Sequence, residues 1–176
     1  MNGHAIPDLL REFDRAVAYS DSLWHDLTLD EVRWRPSSDF SPIGWHLGHQ
    51  AAVAHYLVRN LVAAEPSLDP DLDALMDSIT PEPGRGALPT LERLRDYRHA
   101  SAERVRIRVE QIRSGDVGAP AQLAHIAVGM ITAIINHEYQ HGQWIGEVRA
   151  HHLGKALPDR PTSDVLIEID GYLVVS

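Results

Sequence analysis

Residues 126–135, Ile-Ala-Val-Gly-Met-Ile-Thr-Ala-Ile-Ile, are apolar nearly all the way round a helical projection. A helix without a polar face has to be buried on every side. Ten residues are well short of the ~20 that cross a bilayer. The segment therefore predicts the buried middle of a helix in a soluble domain. Directly after it, Asn136-His137-Glu138-Tyr139-Gln140-His141 places two histidines four residues apart. On a continuing helix they share one face, one turn apart. Two imidazoles so related can hold one metal ion. Equally, they can be two half-buried histidines bonded to backbone or water.

The donor chemistry is narrowed by what the chain lacks. Its 176 residues contain no cysteine, so disulfides, thiolate metal sites and cysteine nucleophiles are excluded, and a metal must be held by His, Asp or Glu. The formal charge of −9 argues against a nucleic-acid partner. No signal peptide opens the sequence, and a soluble cytoplasmic protein with no membrane partner is the expectation. The length suits one domain over residues 1–176 with a single substantial core.

Periodicity predicts four long helices. Leu9, Leu10, Phe13, Ala16, Val17, Leu23 and Trp24 form a near-3.6 stripe, giving a first helix over residues 6–26 with Pro7 in its first turn. A possible short turn at Asp30-Glu31-Val32 follows. Ser41 and Pro42 read as cap and first position of a second helix over 43–63. Residues 65–89 carry five prolines and two glycines. They read as a long connection between neighbouring helices, with a helical turn near Leu72, rather than as a lid. A third helix covers 90–113, with Arg98 on its apolar stripe; a stem packed on the core with its head in water is the expectation there. Gly115, Gly118 and Pro120 precede a fourth helix over 121–151, which Gly154 and Pro158 end. In the tail, residues 155–176, two apolar runs flank Asp170-Gly171, the signal of a two-residue hairpin. The fold class predicted is all-α, a four-helix bundle with a short C-terminal β-hairpin or extended tail.

The second helix carries His46, His49 and His55. His46 and His49, three apart, share a side, and Gly48 allows close approach of a backbone or ligand. One histidine from this helix and two from the fourth would make a three-His site with coordination positions left open, the catalytic rather than the closed arrangement.

Ser41-Pro42-Ile43-Gly44-Trp45-His46-Leu47-Gly48-His49, followed by His137-Glu138-Tyr139-Gln140-His141, resembles the DinB-like superfamily. The resemblance is closest to the N-terminal domain of ergothioneine-pathway sulfoxide synthases. Trp34-Arg35-Pro36 adds to it, and it covers most of residues 6–151. It implies an up-up-down-down bundle, often a homodimer, with a divalent metal on His49, His137 and His141. It implies zinc or ferrous iron, with nickel or manganese as further choices. The activities it implies are thiol transfer or related chemistry on a small molecule, with a low-molecular-weight thiol as partner, or oxygen-dependent iron chemistry. With only residues 155–176 after the bundle, the large C-terminal catalytic domain of the synthases is not expected on this chain. A non-catalytic small-molecule-binding protein is the alternative from another class.

His137-Glu138-x-x-His141 also matches the short metalloprotease pattern. The long form needs Gly and His where Trp144 and Glu147 stand. Glu138 is expected to be a support or interhelical partner. His4, His25, His99, His151 and His152 read as exposed or terminal, and His55 as a rim residue. Nothing marks His125 as a ligand, while His46 is either a support to the ligands or a surface residue. Tyr56 and Tyr139 read as core or rim, and Trp45 and Trp144 as core or pocket wall.

Overall fold

Leu9, Phe13, Ala16 and Val17 are all buried, so the stripe of the first segment does face the interior. The computed structural model describes residues 6–59, 65–115 and 122–176, with the side chains of 122–125 outside the description. Among the described residues there are six α-helices and one hairpin: α1 Ile6–Ser22, α2 Leu29–Arg33, α3 Ile43–Arg59, α4 Pro70–Leu75, α5 Leu91–Ser114, α6 Gln122–Glu147, β1 Leu166–Ile169 and β2 Tyr172–Val175. A 3₁₀ turn covers Glu82–Gly86, and a π turn, Val148–His152, extends α6. The expected last residues of the second helix lie outside the described residues, as do His4, Gly118, Pro120 and the side chain of His125. No described helix is long and apolar enough to cross a membrane.

Local chemistry sets the element ends. Thr28 and Glu31 form a reciprocal capping box that turns the weak signal at residues 30–32 into α2. Asp69 caps α4 and Thr90 caps α5. Gly115 ends α5 in the left-handed region at φ 78°. Ser41 does not show the expected cap: α3 begins at Ile43, and the Ser41 hydroxyl accepts from Arg85 at 2.9 Å. The hairpin turns at Asp170 and Gly171, φ 50° and 82°, with Ile169 opposite Tyr172. Asn136 ties it to α6, donating to the Leu173 carbonyl and accepting from the Leu173 N–H, each at 2.7 Å.

The helix α1 packs on α6 and α5, and α3 packs on α5 and α6. Their apolar side chains form two clusters. One holds Leu9, Phe13, Val58, Val105, Ile131 and Ile135. The other holds Leu23, Ile43, Leu47, Met76, Leu94 and Ile145. Along each long helix a buried polar residue falls between the two portions: Ser20, Gln50, Arg98 and Glu138. These four bond to one another. Gln50 donates to the Ser20 hydroxyl at 3.1 Å and to the Glu138 carbonyl at 2.8 Å. Arg98 donates to Gln50 Oε1 at 3.1 Å, to the Leu47 carbonyl at 2.8 Å and to Asp21 at 2.9 Å, and pairs with Glu138 at 3.5 Å. Arg98 is thus not a stem with its head in water. It is 4% exposed and fully engaged, as a buried charge must be.

Residues 65–89 are also more than a connection. Besides α4 and the 3₁₀ turn, they supply the Met76 carbonyl and the Arg85 guanidinium to the groups around His49.

Candidate metal centre

Where α3 meets α6, His49 comes from one helix and His137 and His141 from the other. His49 and His141 are buried and His137 is half-buried. One ring nitrogen from each lies within 4.8 Å of the other two. The ring centroids are 5.1 Å apart for His49 and His137, 5.0 Å for His49 and His141, and 4.4 Å for His137 and His141. The three rings therefore converge on one point, and the group could hold a metal ion.

Each of two ligand candidates is oriented by a hydrogen bond on its other nitrogen. His49 Nδ1 is 2.6 Å from the Met76 carbonyl. A carbonyl only accepts, so Nδ1 carries the proton and Nε2 keeps its lone pair for a cation. His141 Nδ1 is 2.8 Å from His46 Nδ1, where one nitrogen donates and the other accepts. With the proton on His141 Nδ1, its Nε2 is likewise free to ligate. His46 is therefore a support of His141 and not a surface residue.

Aromatic rings close the flanks. Trp45 is buried and stacks on His49 at 4.5 Å and 10°, and the Arg85 guanidinium lies over the Trp45 ring, 4.0 Å from its centroid. Trp144 stands edge-on to His141 at 4.9 Å and is half exposed, forming a wall at the rim. Gly48 makes room for neither backbone nor ligand but for Met76: a Cβ there would meet its Sδ at 2.4 Å.

Burial holds the four imidazoles neutral. It pushes His46 and His137 down to about 4 and His141 to about 2, with neighbouring imidazoles adding to each, and it lowers His49 against the pull of its Met76 bond. Neutral imidazoles are what a divalent cation requires. Behind the site, burial raises the Glu138 carboxyl while Arg98 opposes the rise. Glu138 points into the polar layer toward Arg98, as an interhelical partner and away from the role of a protease base.

The remaining residues divide clearly. His25, His99, His151 and His152 are exposed. His55 is not at the rim: it is 1% exposed. Tyr139 packs against Tyr19 at 5.9 Å and under Arg160 at 4.5 Å, on the α1 side of α6. Tyr56 is exposed and lines a cavity near His49. The Met76 carbonyl could not be foreseen, since a backbone acceptor leaves no sequence signal.

A search of curated proteins finds no match to the chain. A family model for the DinB superfamily matches residues 12–145, a span that includes His49, His137, His141 and the polar layer behind them. The chain belongs to the DinB superfamily.

Proposed function

We propose that the chain is a metal-dependent enzyme, one domain folded as an up-up-down-down four-helix bundle, that binds zinc or ferrous iron through His49, His137 and His141. The observation that carries this is the convergence of three neutral imidazoles, two of them with their non-ligating nitrogens tied to Met76 and His46.

The donor set favours thiol chemistry on a small molecule. Three neutral ligands leave the full charge of a divalent cation uncompensated, which draws an anionic fourth ligand. Bound there, the cation supplies Lewis-acid chemistry that lowers the pKa of a thiol and keeps it a nucleophile at neutral pH. The chain's own residues shape what arrives. Trp45 and Trp144 wall the His49 and His141 flanks, and the half-buried His137 leaves the approach open. The net charge of −9 argues against a nucleic-acid partner. The family resemblance adds a cytoplasmic homodimer, which sedimentation tests.

Cobalt substitution tests the thiol reading. Addition of 2-mercaptoethanol to the cobalt-loaded protein is expected to produce an intense sulfur-to-cobalt charge-transfer band. An unchanged spectrum at saturating thiol contradicts thiol binding and favours oxygen or hydrolytic chemistry at the same site.

A further inference from the structure

His49 is held in two ways. Its ring face lies on Trp45, 4.5 Å away at 10°, and its Nδ1 donates to the Met76 carbonyl at 2.6 Å. The two restraints are joined. Trp45 Nε1 donates to the Leu75 carbonyl at 3.1 Å, one residue before Met76. Ring and carbonyl therefore keep their places only while the chain after Leu75 stays against α3.

That chain is held by a guanidinium. Between α4 and the 3₁₀ turn, residues 76–81 belong to no helix or strand. Arg85 Nε donates to the Thr80 carbonyl at 2.8 Å, and Nη2 donates to the Ser78 carbonyl at 2.9 Å. Its Nη1 donates to the Ser41 hydroxyl at 2.9 Å, two residues before α3 begins. The same guanidinium lies over Trp45, 4.0 Å from the ring centroid. With all three nitrogens engaged within the chain, Arg85 acts as a brace and not as a group that receives substrate. The turn that carries it is fixed in its own right. Arg35 donates to the Glu82 and Pro83 carbonyls at 2.7 and 3.1 Å, and a Cβ on Gly86 would meet Arg35 Nη2 at 2.7 Å. A guanidinium can bond in its plane while covering an aromatic ring, whereas an ammonium is a point charge that cannot do both.

We propose that Arg85 is a positioning residue of the metal centre: its guanidinium binds the backbone at Ser78 and Thr80, the approach to α3 and the Trp45 ring at once, and so presets the His49 ring before a cation arrives. A ligand already in place loses less conformational freedom on binding, so the brace appears as metal affinity. The effect on affinity rests on the three-histidine reading; the effect on the His49 ring does not.

Arg85→Gln and Arg85→Lys test this, with Val109→Ala, buried in the other apolar cluster, as the control for lost stability. The first readout uses metal-free protein. The His49 Nδ1 proton, assigned in NMR spectra by its loss in His49→Ala, is expected to be sheltered from water in the parent and in Val109→Ala. In both Arg85 variants it is expected to exchange about tenfold faster or more, as local opening becomes easier. The second readout is zinc affinity by chelator competition. It is expected to fall about tenfold or more in both Arg85 variants and to stay level in Val109→Ala. Retention of either property in Arg85→Gln would overturn the proposal. Full recovery in Arg85→Lys would also overturn it, because charge alone would then be what Arg85 supplies. So would an equal loss of affinity in Val109→Ala at a matched urea midpoint, because instability would then explain the effect. A parent that binds no zinc, with a Nδ1 proton that still depends on Arg85, would defeat the metal reading and leave the positioning role standing.

Discussion

His46 Nδ1 stands 2.8 Å from His141 Nδ1, so one proton is shared between a candidate metal ligand and a neighbour one turn before the ligand on the other helix. Neither nitrogen of this pair is available to a cation while the bond persists. With the proton on His141 Nδ1, the bond leaves His141 Nε2 free for the metal and fixes the ring plane. Loss of such an orienting partner typically costs 10–100-fold in metal affinity. His46→Leu is accordingly expected to weaken zinc binding ~10–100-fold, measured by competition with a chromophoric chelator. His46→Gln, whose side-chain oxygen can accept the same proton, should recover most of the affinity. Equal losses in both variants would show that His46 merely fills space.

Gly48 and Met76 set the other orienting bond. A methyl group on residue 48 would collide with the Met76 side chain, which is fully buried. The Met76 carbonyl holds His49 Nδ1. Gly48→Ala is expected to destabilise the fold by ~1–3 kcal/mol, the usual range for overpacking, and to weaken zinc binding as well. Urea denaturation and the chelator competition read the two effects separately. Full retention of both would mean that Met76 moves freely, and would sever the link between the loop and the site.

The Arg98–Glu138 pair divides the two apolar clusters, with each side chain 3% exposed. Removing Arg98 leaves the Glu138 carboxyl buried without its charge partner, a loss of ~3–5 kcal/mol, whereas removing Glu138 leaves Arg98 its ion pair with Asp21. Arg98→Met should therefore be severely destabilised in chemical denaturation. The double variant Arg98→Met with Glu138→Leu should recover much of the loss. An Arg98→Met protein as stable as the parent would contradict the buried-pair account.

Much of this was legible in the sequence, for reasons that particular residues make plain. The long helices follow from apolar stripes, and Asp170-Gly171 announced the hairpin through local turn chemistry. His137 and His141 could be placed together because four residues make one helical turn. What periodicity does not report is which polar residues on a buried stripe find partners. Arg98 lies on the α5 stripe, and only the arrival of Asp21, Gln50 and Glu138 from three other helices makes its burial tolerable. His55 went unrecognised as interior for a similar reason: its surroundings come from distant stretches, with Asp73 of α4 and Arg104 of α5 near enough to act on it, and α4 rests on a cap at Asp69 within a proline-rich stretch. The loop's contribution through the Met76 carbonyl is a backbone interaction that any side chain could have presented.

The depressed imidazoles give the metal-free protein an acid-sensitive stability. Free histidine in an unfolded chain titrates near 6.5. Above that pH both states are neutral here and stability is flat. Between about 6.5 and about 4 the unfolded chain takes up protons that buried His46 and His137 refuse, so stability falls as pH falls. Each such histidine contributes about 1.4 kcal/mol per pH unit over that window. Urea midpoints of the metal-free protein should hold steady from pH 8 to 7 and drop between pH 6.5 and 5. A flat profile down to pH 5 would contradict the burial of these rings as neutral species.

The most direct measurement is the metal content of freshly purified protein, by elemental analysis of anaerobic samples of the parent, His49→Ala and His141→Ala. Close to one equivalent of zinc or iron is expected in the parent. Little or none is expected in either variant, with the helical circular-dichroism signal preserved. A parent that stays metal-free after divalent ions are added back, or variants that keep the full equivalent, would contradict the three-histidine centre.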